Sequence, residues 1–214
     1  MRLDHISYVA SHDQISDAVN RIGSQIGTAF VDGGIHPKFG TRNFTAPLLD
    51  RKYIEVVCPM DHPATDKTPF GRAVKNKSEA GGGWLTWVVA TEDIATIENR
   101  LGRSAIIGSR KRPNGSELNW KQIGVLATIE DSQLPFFIQW LTTEHPSMDG
   151  KPLAKLSKIE IVGIKDKIES WVGEKITKIV PDAEIILVDS SVNEEPSGIM
   201  AIELIVNGKT IRLD

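Results

Sequence analysis

A single cysteine, Cys58, stands among the 214 residues of this chain. One thiol excludes an intramolecular disulfide framework and any paired-cysteine metal or redox motif, and it suits a reducing cytoplasm. No apolar run approaches the ~20 residues that a membrane-spanning helix needs. The first residues enter a strand pattern directly, so no apolar leader and no membrane partner are expected. A strong charge of one sign is also missing: 25 Lys and Arg face 28 Asp and Glu, for a formal net charge of −3. Without a basic stripe, nucleic acid is not an expected partner. Three catalytic or phosphate-binding signatures are absent as well. There is no glycine-rich loop between a strand and a helix, no Gly-x-Ser-x-Gly elbow and no Cys-x-x-Cys. Gly81-Gly82-Gly83 precedes a strand pattern and reads as a flexible linker. The remaining picture is a cytoplasmic globular chain, 40% apolar, long enough to bury a core of one domain or one and a half.

What is present repeats. Leu3 to Val9 alternates as a strand. Ser11 with Gln14 makes a capping box, and Ile15, Ala18, Val19 and Ile22 recur at helical spacing until Gly23. Strand-like pieces follow near 29–31, 41–49 and 53–57, giving βαβββ. Residues 58–83 read as a linker or excursion. The pattern then returns: a strand at 84–90, a helix capped by Thr91 with Ile94, Ile97 and Leu101 on its buried stripe, and strands at 118–122, 125–129 and 136–141. A third copy has a strand at 159–162, a helix striped by Ile164, Ile168, Trp171 and Val172, and strands at 183–188, 199–206 and 210–213. Asn207-Gly208 marks its hairpin. The expected fold class is α+β, with repeated βαβββ modules. Two of them, 1–58 and 83–142, pair into a curved eight-stranded mixed sheet with a cleft, forming a domain at 1–148. The third occupies 156–214. Its unpaired edges require either extension of the sheet or a homodimer contact.

Two polar residues interrupt these strands. Glu55 sits in an apolar and aromatic run, Tyr53 to Val57, and His5 occupies a similar place in the first strand. Desolvating an unpaired carboxylate costs several kcal/mol, so Glu55 requires a cation or hydrogen-bond donors. Neutral imidazole with carboxylate suits Zn, Fe, Mn or Ni; an ordinary buried His–Glu pair satisfies the same pattern. His36, held extended before Pro37, is either a cleft residue able to move a proton or a surface histidine. Asn43 either bonds a ligand or fixes its turn. Arg110 and Arg112 read as loop residues suited to an anionic or carbonyl oxygen. Trp84, Trp87, Trp120 and Trp140 all fall in the second module, which suggests an aromatic-lined pocket as well as core. His12, His62 and His145 carry no assigned role.

In order and spacing, several segments resemble the vicinal-oxygen-chelate superfamily, and within it the glyoxalase-like domain proteins. They are Leu3-Asp4-His5-Ile6, His36-Pro37, Gly40-Thr41-Arg42-Asn43 and Tyr53-Ile54-Glu55 in the first module. In the second they are the stretch Ser109 to Gly115 with Trp120, and Leu134 to Trp140. The resemblance covers roughly residues 1 to 150. It implies paired modules with a divalent metal held by first-strand and last-strand side chains. His5 and Glu55 match the ligand positions of the first module and Gln139 the last-strand position of the second. The remaining position falls at Leu85 or Thr86, where no ligand stands. The implied function is binding of a small oxygenated molecule in the cleft, either by a metal-dependent lyase, isomerase or dioxygenase or by a metal-free sequestering protein of the drug-resistance type. In the enzyme reading Glu55 or His36 moves the proton, with Asn43, Arg110 and Trp120 binding the ligand. A purely structural interaction module is a third possibility.

Overall fold

The computed structural model describes residues 1–189 and 196–214. In the first module, strand β1 (Arg2–Val9) leads to helix α1 (Ile15–Ile26), then β2 (Val31–His36), β3 (Thr41–Leu48) and β4 (Lys52–Pro59). Short helices α2 (Pro63–Lys67) and α3 (Pro69–Glu79) connect to the second module. That module holds β5 (Gly83–Ala90), α4 (Ile94–Leu101), β6 (Ile106–Lys111), β7 (Glu117–Ile123), α5 (Val125–Glu130) and β8 (Phe136–Trp140). After a single 3-10 turn at Pro146–Met148 come β9 (Ala154–Val162), α6 (Lys165–Val172), α7 (Ile176–Ile179), β10 (Glu184–Val188), β11 (Gly198–Val206) and β12 (Lys209–Leu213).

The eight strands of the two modules form one mixed sheet closed into a barrel, in the order β1-β4-β3-β2-β6-β7-β8-β5. Within each module the first and last strands run parallel, β1 with β4 and β5 with β8. The modules meet where β1 runs antiparallel to β5, and the barrel closes where β2 meets β6 through Ile35 and Lys111. Closure removes the sheet edges that a lone βαβββ unit would expose. Inward and outward side chains alternate, so two apolar layers arise. One lies inside the barrel around Val9, Val57, Val88, Phe70 and Phe136. The other lies outside, where Ile6, Ile54 and Trp87 join α1 and the C-terminal unit in one core with Leu156, Ile159, Ile202 and Leu204.

That C-terminal unit keeps the β-then-helix-then-three-strand element order, with α7 added. Its strand order is β10-β9-β11-β12, so its first strand is central rather than beside its last. Polar contacts help fasten it to the barrel. Lys52 pairs with Asp182, the Trp171 indole donates to Pro135 O at 2.7 Å, and the Ile164 amide donates to Gln133 Oε1 at 2.7 Å. Among the described residues no helix is long and apolar enough to cross a membrane.

Several boundaries differ from the sequence expectation. Helix α1 passes through Gly23 and stops at Gly27, which takes the left-handed conformation (φ 67°) of a helix C-terminus. Residues 58–83 are not a linker: Thr68 Oγ1 accepts the Gly71 amide and prolines open both helices, α2 and α3. Asp93, rather than Thr91, caps α4 through the Ala95 amide. In the second module the strand expected at 125–129 is a helix, and the strand that completes the module is β6, at 106–111. Strand β6 was hidden because Ile106 and Ile107 are exposed and its burial starts only at Gly108. The run at 125–129 has no strand to pair with, because β8 already lies beside β7 through Trp120 and Trp140.

Candidate functional site

Alternation along the barrel strands sends His5 and Ser7 of β1, Asn43 of β3, Tyr53 and Glu55 of β4, and Arg110 of β6 toward the interior. The parallel register of β1 and β4 sets Ser7 beside Glu55 and His5 beside Tyr53, whose rings stack at 4.4 Å. Glu55 is buried and doubly bonded. Ser7 Oγ donates to its Oε2 at 2.6 Å and Asn43 Nδ2 donates to its Oε1 at 2.7 Å. His5 Nε2 lies 3.9 Å from Oε2, too far for a hydrogen bond. Asn43 turns its other end to Arg110, whose Nη1 donates to Asn43 Oδ1 at 3.1 Å. A chain of contacts thus runs from Glu55 through Asn43 to Arg110. Glycine at 33 permits it: the β2–β3 register slips between Asp32 and Gly34. A methyl on Gly33 would come within 2.2 Å of Asn43 Oδ1 and 2.6 Å of Arg110 Nη1.

Arg110 is the unusual member. It is 2% exposed, yet its Nε and Nη2 have no hydrogen-bond partner among the described residues. A buried donor left unsatisfied costs roughly 1–3 kcal/mol, more when charged. Gln122 repeats the situation on β7. Its Oε1 accepts the Trp120 indole N–H at 2.7 Å while its Nε2 is unpartnered among the described residues. Both residues line one cavity of about 30 Å³ with His5, His36 and Glu55, room for roughly two waters. Phe70, Phe136, Trp120 and Trp140 supply apolar walls.

Electrostatics follow from burial and pairing. Burial pushes the Glu55 carboxyl up, but His5, His36 and the bonds from Ser7 and Asn43 outweigh it and hold the group below its usual range. His36 is driven down to about 4, chiefly by burial, with Arg110 and His5 adding repulsion against the opposing pull of Glu55. It is therefore a neutral imidazole near pH 7, with Nδ1 2.8 Å from Thr41 Oγ1. Burial also weakens the hold of Arg110 on its proton, and it raises the Tyr53 phenol far above its ordinary value.

Sequence reasoning missed Asp4. Strand alternation turns it away from His5, but the β1–β5 pairing slips between Leu3 and His5, and such a bulge re-aims a side chain. Asp4 Oδ2 lies 3.0 Å from His5 Nδ1. Its other donors are His145 Nε2 at 3.1 Å, the Trp140 indole at 3.2 Å and Arg2 at 2.8 Å. Burial would raise the Asp4 carboxyl, yet the bonds from His145 and His5 hold it far below the carboxylate range. An ionised carboxylate only accepts, so His5 Nδ1 carries a proton and Nε2 faces Glu55.

The other sequence candidates divide. His36, Asn43 and Trp120 reach the cavity with His5, Glu55 and Arg110. Arg110 sits on a strand rather than a loop, and Arg112 turns away to Asp149 at 2.7 Å. Gln139 does not join the site. Its Nε2 donates to Glu92 O at 2.7 Å and its Oε1 accepts from the Ile94 amide at 3.4 Å, outside the barrel at the start of α4. The register explains the error. Ser7 pairs with Glu55 and Val88 with Phe136, so the counterpart of Glu55 is Phe136, and that of His5, two residues before Ser7, is Thr86. Neither binds metal. Among the described residues no group of three or more His, Cys, Asp or Glu side chains is placed to hold an ion. His5 and Glu55 alone, with a guanidinium in the same cavity, do not make a self-sufficient divalent site.

The glyoxalase-like domain family matches residues 3–173 of this chain. A hypothetical protein from Staphylococcus aureus shares the fold at a TM-score of 0.67 and 17% identity, covering 100% of this chain and 98% of that one. Methylmalonyl-CoA epimerase from Mycobacterium tuberculosis aligns at 0.43 and 14% identity, over 65% of this chain and 86% of its own. A single-residue variant of the Streptomyces coelicolor epimerase, in complex with 2-nitronate-propionyl-CoA, aligns at 0.44 and 14%, over 69% and 98%. No curated protein matches. With the family spanning both modules of the barrel and the first helix beyond it, the chain belongs to the glyoxalase-like domain family.

Proposed function

We propose that the barrel binds a small oxygen-bearing anion on Arg110 and exchanges a proton with it through Glu55. The observation that carries this reading is the buried guanidinium with two unpartnered nitrogens, tied through Asn43 to an ionised carboxylate. A carboxylate or enolate oxygen satisfies those donors, and Gln122 Nε2 offers one more. Donors fixed before the ligand arrives stabilise charge that develops on an oxygen during reaction. In the free protein Glu55 holds its proton weakly. An anion docked on Arg110 raises its proton affinity by like-charge repulsion. Glu55 takes the proton from the carbon next to the ligand's carbonyl, the C–H electron pair moves onto the oxygen facing Arg110, and return of the proton closes the cycle. His36, neutral and desolvated, supplies an uncharged wall beside the reacting carbon.

The test uses straight-chain 2-oxo acids as probes in deuterated water, with carbon-bound deuterium followed by NMR. Wild-type protein is expected to exchange the proton beside the carbonyl; Glu55→Gln retains binding without exchange, and Arg110→Met loses both. Undiminished exchange in Glu55→Gln overturns the catalytic role. Binding through Arg110 with no exchange in wild type leaves a sequestering protein as the function. In a second reading His5 and Glu55 would hold Zn, Fe, Mn or Ni, which would supply a Lewis acid to the ligand's oxygens. The 3.9 Å separation of His5 Nε2 and Glu55 Oε2 favours it, and the lack of a third protein ligand opposes it. About one equivalent of metal in tag-free protein, lost in His5→Ala, supports the ion.

A further inference from the structure

The inner cavity, at about 30 Å³, seats a head group and little else. Directly beside it lies a second opening of about 250 Å³ between α3, α5 and β5. The two share Phe70 and Phe136, whose rings stand edge to face at 6.1 Å and form the partition. Beyond that partition the walls are mostly apolar: Ala73 on α3, Leu85 on β5, and Val125 and Ile129 on α5. Ile129 is 37% exposed there. Lys77 of α3 also lines the groove and has no carboxylate partner among the described residues. The same helix α3 supplies Phe70 to the partition and Ala73 and Lys77 to the groove, so one element borders both spaces.

We infer that the ligand is amphipathic, with its oxygen-bearing head on Arg110 and an unbranched apolar tail passing Phe70 and Phe136 into the groove between α3 and α5. This rests on the head-group reading above. Two observations commit the groove to a tail of that ligand rather than to a separate molecule. The head-group cavity has no volume for anything longer, and the groove abuts it, with only the Phe70 and Phe136 rings between them. A tail lying there is covered by Ala73 of α3 and by Val125 and Ile129 of α5.

Calorimetric titration with 2-oxo acids of increasing length, about three to about eight carbons, tests the inference. Affinity is expected to rise by about fourfold for each methylene that enters the groove. Asn76→Trp, at a position of α3 that lines the groove, should flatten the series while leaving the shortest acid bound as in wild type. Ile129→Glu should do the same from the α5 side, so one poorly folded variant does not decide the matter. Arg110→Met should lose every member. A flat series in wild type that still depends on Arg110 overturns the groove and leaves the head-group reading standing. So does a length dependence unchanged by both groove variants. Failure of every acid to bind overturns both.

Discussion

His145 Nε2 lies 3.1 Å from Asp4 Oδ1, across 141 positions of sequence. The contact fastens the loop after the last barrel strand to the first strand, directly behind His5. Asp4→Asn keeps the shape but removes the charge that three aromatic-ring donors and Arg2 share. Hydrogen bonds to a charged group are worth about 1.5–3 kcal/mol each, so the substitution is expected to lower unfolding free energy by about 3 kcal/mol or more. Urea denaturation measures it; a loss under about 1 kcal/mol would refute the assignment.

Acid sensitivity follows from two buried groups. The Asp4 carboxyl is depressed in the folded state, so its contribution is complete above its ordinary range and is lost as pH falls below about 4. His36 is depressed from 6.5 to about 4. The unfolded chain then binds the extra proton first, and stability falls between those two values as pH is lowered, by about 3 kcal/mol in all. His36→Gln should remove the fall between about 6.5 and 4 without touching the steeper loss below it. Denaturation curves at stepped pH give the comparison, and an identical slope in both proteins would count against a buried neutral imidazole.

Gly33→Ala tests the Asn43–Arg110 link without altering either residue. The added methyl collides with Asn43 Oδ1 and Arg110 Nη1. Strain of this kind costs about 1–3 kcal/mol, and probe binding should weaken at least tenfold, about 1.4 kcal/mol, while far-UV circular dichroism is unchanged. Wild-type affinity in Gly33→Ala would show that the link does not position the guanidinium.

Lys52, buried beneath the C-terminal sheet, pairs with Asp182. Lys52→Ala leaves a partly buried carboxylate without its partner and is expected to cost about 3 kcal/mol, the lower end for breaking a buried pair. Lys52→Ala with Asp182→Ala should recover part of that loss. The same region bears on the proposed division into 1–148 and 156–214. Because one apolar core includes Ile54 and Ile159, cleavage between Met148 and Pro152 should yield a barrel fragment with the near-UV signal of Trp120 and Trp140, less stable than the intact chain. A fragment lacking that signal argues against two units.

Much of the barrel was legible locally. Alternation, helix stripes and caps are properties of neighbouring residues, and they placed β1, α1, β3, β4 and β5 nearly where they fold. Glu55 in an apolar strand announced a buried, partnered carboxylate because desolvation forbids any other. The resemblance of those segments carried the family. What failed were the positions that depend on partners distant in sequence. Residues 125–129 suit a strand or a helix equally, and only the seat of β8 beside β7 decided for the helix. Gln139 was set at the last-strand ligand position by the resemblance, and a three-residue error in register reverses the face on which a side chain stands.

The sequence by itself determined which residues would need burial and partners: the paired modules, the apolar stripes, His5 and Glu55. Only the tertiary structure decided who those partners are. A bulge turned Asp4 onto His5, a glycine let Asn43 reach Arg110, and barrel closure brought β6 beside β2, leaving a buried guanidinium two donors short. Those outcomes depend on register between strands far apart in the chain, and register is set by packing across the barrel rather than by any residue's own preference.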